Sequence, residues 1–216
     1  MNKLFFFAAG LLLLASCSKD RISGSGSVAT QDRNLSSFTR VNTSGGTNVC
    51  IVQGPNFNVQ VKGYENLLAY METKVSNNTL EIGYKNNISV KNDNVEVFVT
   101  MPLLESLSSS GSANMVTKGP FTGADLSASL SGSGNITIEQ GDVPFLKTSI
   151  AGSGNINAFG VTTQRADVSI SGSGSTEVKA IMNLKVNISG SGTVYYKGQP
   201  VVETQISGSG KVIQKP

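Results

Sequence analysis

Between residues 126 and 212 one tetrad, Ser-Gly-Ser-Gly or its Ala-Gly-Ser-Gly variant, occurs five times, and each copy is followed two residues on by a β-branched side chain. The copies read Leu130-Ser-Gly-Ser-Gly-Asn-Ile136, Ile150-Ala-Gly-Ser-Gly-Asn-Ile156, Ile170-Ser-Gly-Ser-Gly-Ser-Thr176, Ile188-Ser-Gly-Ser-Gly-Thr-Val194 and Ile206-Ser-Gly-Ser-Gly-Lys-Val212. A degenerate earlier copy runs Ser109-Ser-Gly-Ser-Ala-Asn-Met115. The first glycines are Gly111, Gly132, Gly152, Gly172, Gly190 and Gly208, so the spacings are 21, 20, 20, 18 and 18. A period near 20 without helical content is the sequence mark of a solenoid.

The alternation within each copy says what kind. Leu126, Ala128, Leu130, Gly132, Gly134, Ile136 and Ile138 are apolar or glycine, while every residue between them is polar. This is the period-2 pattern of a strand with one buried face. Serine, glycine and β-branched residues are also poor helix formers. The chain is therefore predicted to be all-β, a single-stranded parallel β-helix (β-solenoid) with coils of 18–21 residues, right-handed, and an N-terminal capping β-region. Loops are expected over 139–145, 159–165, 179–183 and 197–201, where Gly141, Pro144, Gly160, Gly198 and Pro200 punctuate the pattern. The drop from 20 to 18 falls inside these loops, which protects the strand phase from a slip that would turn its buried set outward.

Stacking the copies predicts columns. Leu130, Ile150, Ile170, Ile188 and Ile206 form one interior column, and Leu126, Leu146, Ala166, Leu184 and Val202 another. Outside, Ser127, Lys147, Asp167, Lys185 and Glu203 alternate in charge, an arrangement expected to support register through cross-strand pairs. A further outward column is serine throughout: Ser133, Ser153, Ser173, Ser191 and Ser209.

Ahead of the repeats, residues 1–16 have the form of a targeting segment: Lys3, an apolar run over 4–14, then Leu14-Ala15-Ser16-Cys17. The run is too short to span a bilayer. The tetrapeptide resembles the lipobox of bacterial lipoproteins, which implies a diacylglyceryl group on Cys17, cleavage before it and acylation of the new amine. Simple secretory cleavage after Ser16 is the alternative. Serine rather than aspartate at position 18 implies, under the sorting rule this motif resembles, the outer membrane, with the domain facing the periplasm or the cell surface. Residues 17–34 are predicted to be a flexible Gly/Ser linker, and 35–216 the solenoid domain, with 35–105 its cap and first coils and 106–216 the repeats. Within 35–105, strands are expected over 49–52, 58–61, 79–82 and 95–99, a hairpin turn at Asn77-Asn78, and one short helix over 64–70. Lys211, Lys215 and Pro216 are expected to blunt the far end against edge pairing.

Composition narrows the function. Removing Lys3 from the 17 basic residues leaves 16 against 14 acidic, a net of +2, which argues against a nucleic-acid partner. There is no histidine, so Ser-His-Asp and Cys-His catalysis and histidine-ligated metal sites are excluded. With Cys17 acylated, Cys50 stands alone and reads as a small buried hydrophobe in Asn48-Val-Cys-Ile-Val52. Some β-helix proteins cleave polysaccharides with carboxylates, but Asp125, Glu139, Asp142, Asp167, Glu177 and Glu203 suggest no pair facing one cleft. No catalytic residue, metal or cofactor is predicted. A ligand-facing ladder of Ser133, Ser153, Ser173, Ser191 and Ser209 with Asn135 and Asn155 is the candidate site, for a glycan or protein at the envelope. Against it stands the plainer reading that the asparagines bond one another and the serines are merely solvated.

Several segments carry a family resemblance: Ser36-Ser-Phe-Thr-Arg-Val41, Val49-Cys-Ile-Val-Gln-Gly54, Leu80-Glu-Ile82, Met101-Pro-Leu-Leu104 and the serial Ser-Gly-Ser-Gly-Asn-Ile copies. Together, over 35–211, they resemble the auto-transporter adhesin "head GIN" domain family, common in lipoproteins of Gram-negative bacteria. The resemblance implies a β-helical fold and an adhesin-like role, and carries over no catalytic or binding residue. Ser175, Thr193 and Lys211 replace the asparagine of the motif in the later copies. The reading is thus a non-enzymatic, lipid-anchored envelope protein serving as an adhesin or surface interaction module. The alternatives are a passive envelope scaffold and a glycan-binding or glycan-cleaving β-helix.

Overall fold

The computed structural model describes residues 20–216; the expected signal peptide over 1–16 and the expected acylation site Cys17 lie outside the described residues. The chain runs β1 (Asp20–Ser23), β2 (Val28–Arg33), β3 (Arg40–Gly45), β4 (Asn48–Gln53), β5 (Asn58–Tyr64), the one-turn helix α1 (Glu65–Leu68), β6 (Met71–Ser76), β7 (Thr79–Tyr84), β8 (Ile88–Lys91) and β9 (Glu96–Met101). The repeats supply β10 (Ser106–Gly111), β11 (Asn114–Thr122), β12 (Leu126–Gly132), β13 (Asn135–Gly152), β14 (Asn155–Gly172) and β15 (Ser175–Gly190). The last coil is β16 (Thr193–Lys197), β17 (Val201–Gly208) and β18 (Lys211–Gln214).

These strands wind into a β-solenoid with two main parallel sheets that meet at the glycine corner. The first sheet stacks β3, β10, β12, the C-terminal halves of β13, β14 and β15, and β17. The second stacks β9, β4, β11, the N-terminal halves of β13, β14 and β15, then β16 and β18. Register follows the repeat: Leu130 lies over Ile150, then Ile170, Ile188 and Ile206. Ile150, Ile170 and Ile188 are each no more than 2% exposed, so the oily column is continuous through the middle of the stack. Each such side chain contributes roughly 1.5–3 kcal/mol by leaving water. Thr148 and Thr176 interrupt aliphatic columns, and their buried hydroxyls find no hydrogen-bond partner among the described residues.

The corner explains the glycines. Gly132, Gly152 and Gly172 have φ of 131°, 139° and 130°, a region that L side chains rarely adopt. A Cβ on Gly152 would also run into the carbonyl oxygen of Gly132 in the coil below. That carbonyl is already engaged, accepting from the Ser153 N–H at 3.0 Å, and the bond repeats from Ser173 to Gly152 at 2.9 Å. Each coil therefore turns by laying its backbone against the turn before it.

Three of the four expected loops are extended backbone instead. β13, β14 and β15 run unbroken for 18, 18 and 16 residues through 139–145, 159–165 and 179–183. Val143, Val161 and Ala180 are buried there, so each coil has a third wall that must keep its own inward phase. The shortening from 20 to 18 is absorbed by register shifts between Ala158 and Thr162 and between Thr163 and Arg165. Only the stretch around Gly198, before β17, remains an interruption.

The N-terminal region departs further from expectation. Over 20–33, the predicted linker is largely structured: β1 pairs with β8, and β2 lies antiparallel to β5. Asn66 fastens the intervening turn, donating to the Ser23 carbonyl at 2.8 Å and accepting from the Ser25 N–H at 3.0 Å. The Gly/Ser composition that suggested a spacer belongs to that turn, and the polar residues of β2 suit an outermost strand. The first coils are also out of chain order. The β3–β4 coil is inserted between the coil of β7 and β9 and the coil of β10 and β11. Antiparallel strands then close both sheets, β6 against β7 and β5 against β9. The hairpin turn at Asn77-Asn78 has φ of 48° and 63°, as a tight hairpin requires. Tyr84 donates to the Asp93 carboxylate at 2.7 Å, and burial together with that carboxylate pushes its phenol well above the ordinary tyrosine range.

Replacing Gly172 with alanine forces a Cβ against the Gly152 carbonyl at a φ that alanine resists, and is expected to cost about 2 kcal/mol or more. Ser173→Ala, on the exposed tip of the same corner, is expected to stay within about 0.5 kcal/mol. Urea denaturation of the two variants checks the pair.

Candidate functional site

The predicted ladder divides into two chemically different columns. Ser133, Ser153, Ser173, Ser191 and Ser209 are all exposed on the tip of the glycine corner, with their N–H groups bonded to the preceding coil and their hydroxyls facing solvent. The asparagines are spoken for. Asn155 donates its amide to the Oδ1 of Asn135 at 3.0 Å, and Asn135 donates to Asn114 at 2.8 Å. Asn114 reaches Asn48 at 3.3 Å, and Ser175 caps the other end by donating to the Asn155 Oδ1 at 2.7 Å. Asn135 and Asn155 thus form part of a surface zipper that runs along the stack from coil to coil. The zipper extends to Asn48, which repeat counting missed. Its signal is Ser44-Gly45-Gly46-Thr47, a degraded copy of the tetrad followed by Asn48, with Ser44 paired to Ser110 and Gly45 to Gly111.

A second outward surface lies on the first sheet. Ser149, Ser169, Asn187 and Gln205 stack in one column, and Ala151, Ser171, Ser189 and Ser207 in the next. They line a shallow groove of about 500 Å³ running across the coils. Small side chains leave the strand backbone close to the surface, so the groove is broad, and its hydroxyls and amides stand over a lining that is mainly apolar. These positions share the polar phase of the predicted ladder, but the repeat by itself did not distinguish a groove from a flat wall.

Charge gathers elsewhere. Lys147, Asp167, Lys185 and Glu203 do stack in register. They do not lock to one another, however: among the described residues the one ion pair is Arg40 with Glu105, at 3.7 Å. The column instead borders a hollow of about 500 Å³ at the edge of the first sheet, where Asp125, Phe145, Arg165, Asp167, Lys185 and Glu203 come together. The Arg165 guanidinium sits over the Phe145 ring at 5.6 Å from its centroid. The repeat pattern does not bring these carboxylates into one cleft, because Asp125 enters from the turn before β12 and is outside the column. Asp167 and Glu203 stand two coils apart, about 10 Å at the spacing of neighbouring strands.

Cys50 corrects another expectation. It points out of β4 and is half-buried, lying between Phe98 and Val116 of the flanking strands rather than in the core. The interior positions of that strand are Val49 and Ile51.

A family model described as "Putative auto-transporter adhesin, head GIN domain" matches residues 37–200. Among solved structures, the chain is similar to one described as a "putative adhesin" from Bacteroides fragilis, with TM-score 0.74 and 20% identity, covering 90% of this chain and 100% of that one. It is also similar to a "Putative lipid binding protein" from Parabacteroides distasonis, with TM-score 0.62 and 25% identity, covering 91% and 100%. A "putative adhesin" from Parabacteroides merdae aligns with TM-score 0.56 and 23% identity, again over 91% and 100%. No curated protein matches the chain.

Asn155 is the link on which two zipper bonds depend. Asn155→Ala is expected to destabilise the domain by about 1–2 kcal/mol in thermal or urea unfolding, since it leaves Asn135 and Ser175 without their partner.

Proposed function

Because the chain belongs to the family described as "Putative auto-transporter adhesin, head GIN domain", we propose that it acts as a non-enzymatic, lipid-anchored adhesin of the cell envelope. The observation that carries this reading is the first-sheet groove. In register over four coils, it offers hydroxyls and amides at the strand spacing with no side chain positioned to do chemistry on what lies there. Such a surface suits an extended partner that follows the stack, making many modest hydrogen bonds of about 0.5–1.5 kcal/mol each.

The anchor is Cys17. Ser18 after it favours the outer membrane, by the sorting rule its lipobox resembles. Two or three acyl chains on one residue are enough for stable attachment. The structured N-terminus shapes this attachment. Three residue steps separate Cys17 from Asp20 at the start of β1, a reach of at most about 11 Å. On this reading the cap is held against the bilayer by a short tether.

A second reading has its own support. The hollow beside Phe145 and Arg165 combines an aromatic ring with three carboxylates, the elements of a glycan-binding site on a β-helix. The groove and the hollow are far enough apart in chemistry for substitution to separate them.

The lipid anchor is tested by metabolic palmitate labelling. Incorporation is expected in the parent chain and lost in Cys17→Ala; label that persists in the variant removes the anchor. The adhesin reading is tested on a glycan array and on immobilised envelope proteins. Ser169→Lys with Asn187→Lys is expected to weaken binding about tenfold or more. Loss confined to Arg165→Ala with Asp167→Ala assigns recognition to the hollow, and a blank array with no protein ligand leaves a passive scaffold.

A further inference from the structure

The two ends of the solenoid are built differently. At the N-terminal end both sheets are closed by antiparallel strands of the chain itself. At the other end β17 pairs only with β15, and β18 only with β16, so among the described residues the outer edges of both are unpaired. The interior side chains of that last coil are correspondingly uncovered. Ile206 is 44% exposed, against 2% for Ile188 one coil earlier. With Tyr196, Val202, Thr204 and Val212 it lines an open hollow of about 550 Å³. The expected blunting acts on one sheet only. Lys211, Lys215 and Pro216 protect β18, whereas β17 carries neither lysine nor proline.

The geometry points to a second copy of this chain as the occupant, docked tail to tail through β17 as an antiparallel strand pair. The backbone edge calls for a strand, and antiparallel addition is how this fold closes its sheets at the other end. The phase of β17 is self-complementary. Because Val202, Thr204 and Ile206 face inward, opposed residues must have numbers of equal parity. A two-fold axis at Thr204 sets Val202 against the copy's Ile206 and Glu203 against its Gln205, so apolar meets apolar and no like charges are opposed. Moving the axis to residue 203 would face Glu203 with itself, and moving it to residue 205 would set Val202 against Gly208. One coil end per partner is below the 20–30 residues a side of a standard interface, so the association is weak and concentration-dependent. The caps then lie at opposite poles of the pair. If the chain is anchored at Cys17 as proposed above, a consequence resting on that reading, the pair bridges two envelopes.

Cysteine crosslinking of the full chain in a Cys50→Ala background tests this. Opposed residues of an antiparallel pair have Cα atoms about 4.5–5.5 Å apart, within disulfide reach. Thr204→Cys is expected to give an oxidised dimer, and Ser153→Cys, exposed on the corner of a middle coil, is not. Adding Ile206→Lys to Thr204→Cys is expected to reduce the dimer about tenfold or more, with the circular dichroism of the fold retained. No Thr204→Cys dimer, a yield no greater than that of Ser153→Cys, or a yield indifferent to Ile206→Lys overturns the inference. A dimer in the Cys50→Ala parent itself reports a free Cys17 thiol. That outcome removes the lipid anchor but not the docking, which is then read in a Cys17→Ser, Cys50→Ala background.

Discussion

The close stacking of one coil's backbone on the next at the glycine corner is the constraint on which everything else depends. Ser133, Ser153, Ser173, Ser191 and Ser209 each donate a main-chain hydrogen bond to the first glycine of the preceding corner, over 2.9–3.0 Å. Contacts that short leave no room for a Cβ on either glycine, and the left-handed backbone of the turn excludes most other residues independently. Once the corners superpose, equivalent residues in successive coils must superpose as well. The aliphatic columns, the asparagine zipper and the outward polar columns are consequences of that single registration.

The same stacking sorts polar groups by what remains for them to do. On the outer face of the second sheet the asparagine amides bond one another at intervals of one strand, and so fasten successive coils. The corner serines are exposed, and their hydroxyls are left to water. On the first sheet, short side chains repeated at each level make a long shallow groove. Charged residues on the adjacent column stay apart and surround a separate hollow. Through the middle coils the interior is committed to packing, which leaves the outer columns as the surface that varies in width and chemistry.

A solenoid also has ends, and the physics at the ends differs from that in the middle. Interior coils are covered above and below by near copies of themselves, whereas a terminal coil needs something of a different kind. This chain meets that need at its beginning with antiparallel strands, a short helix and a reordered coil. The tie between β1 and β8 draws the N-terminal segment into the cap, so what composition suggested was a spacer is a fixed part of the domain.

The repeat alone was sufficient to determine the fold class, the identity of the core columns and the register, because a period-2 pattern tied to a glycine corner admits one stacking. Ile150, Ile170 and Ile188 lie one above another as their spacing requires. What the sequence could not decide was set by contacts between distant segments. Val143 and Val161 turn expected loops into a third wall, since core exposure there outweighs the turn preference of glycine and proline. The insertion of β3 and β4 between later coils depends on a tetrad too degraded to be counted. Cys50 faces outward because its neighbours Val49 and Ile51 take the interior phase. The candidate site was half legible for the same reason: alternation shows which residues point out, but which of them share a hollow depends on how far apart the tertiary structure holds the columns and on where Asp125 enters.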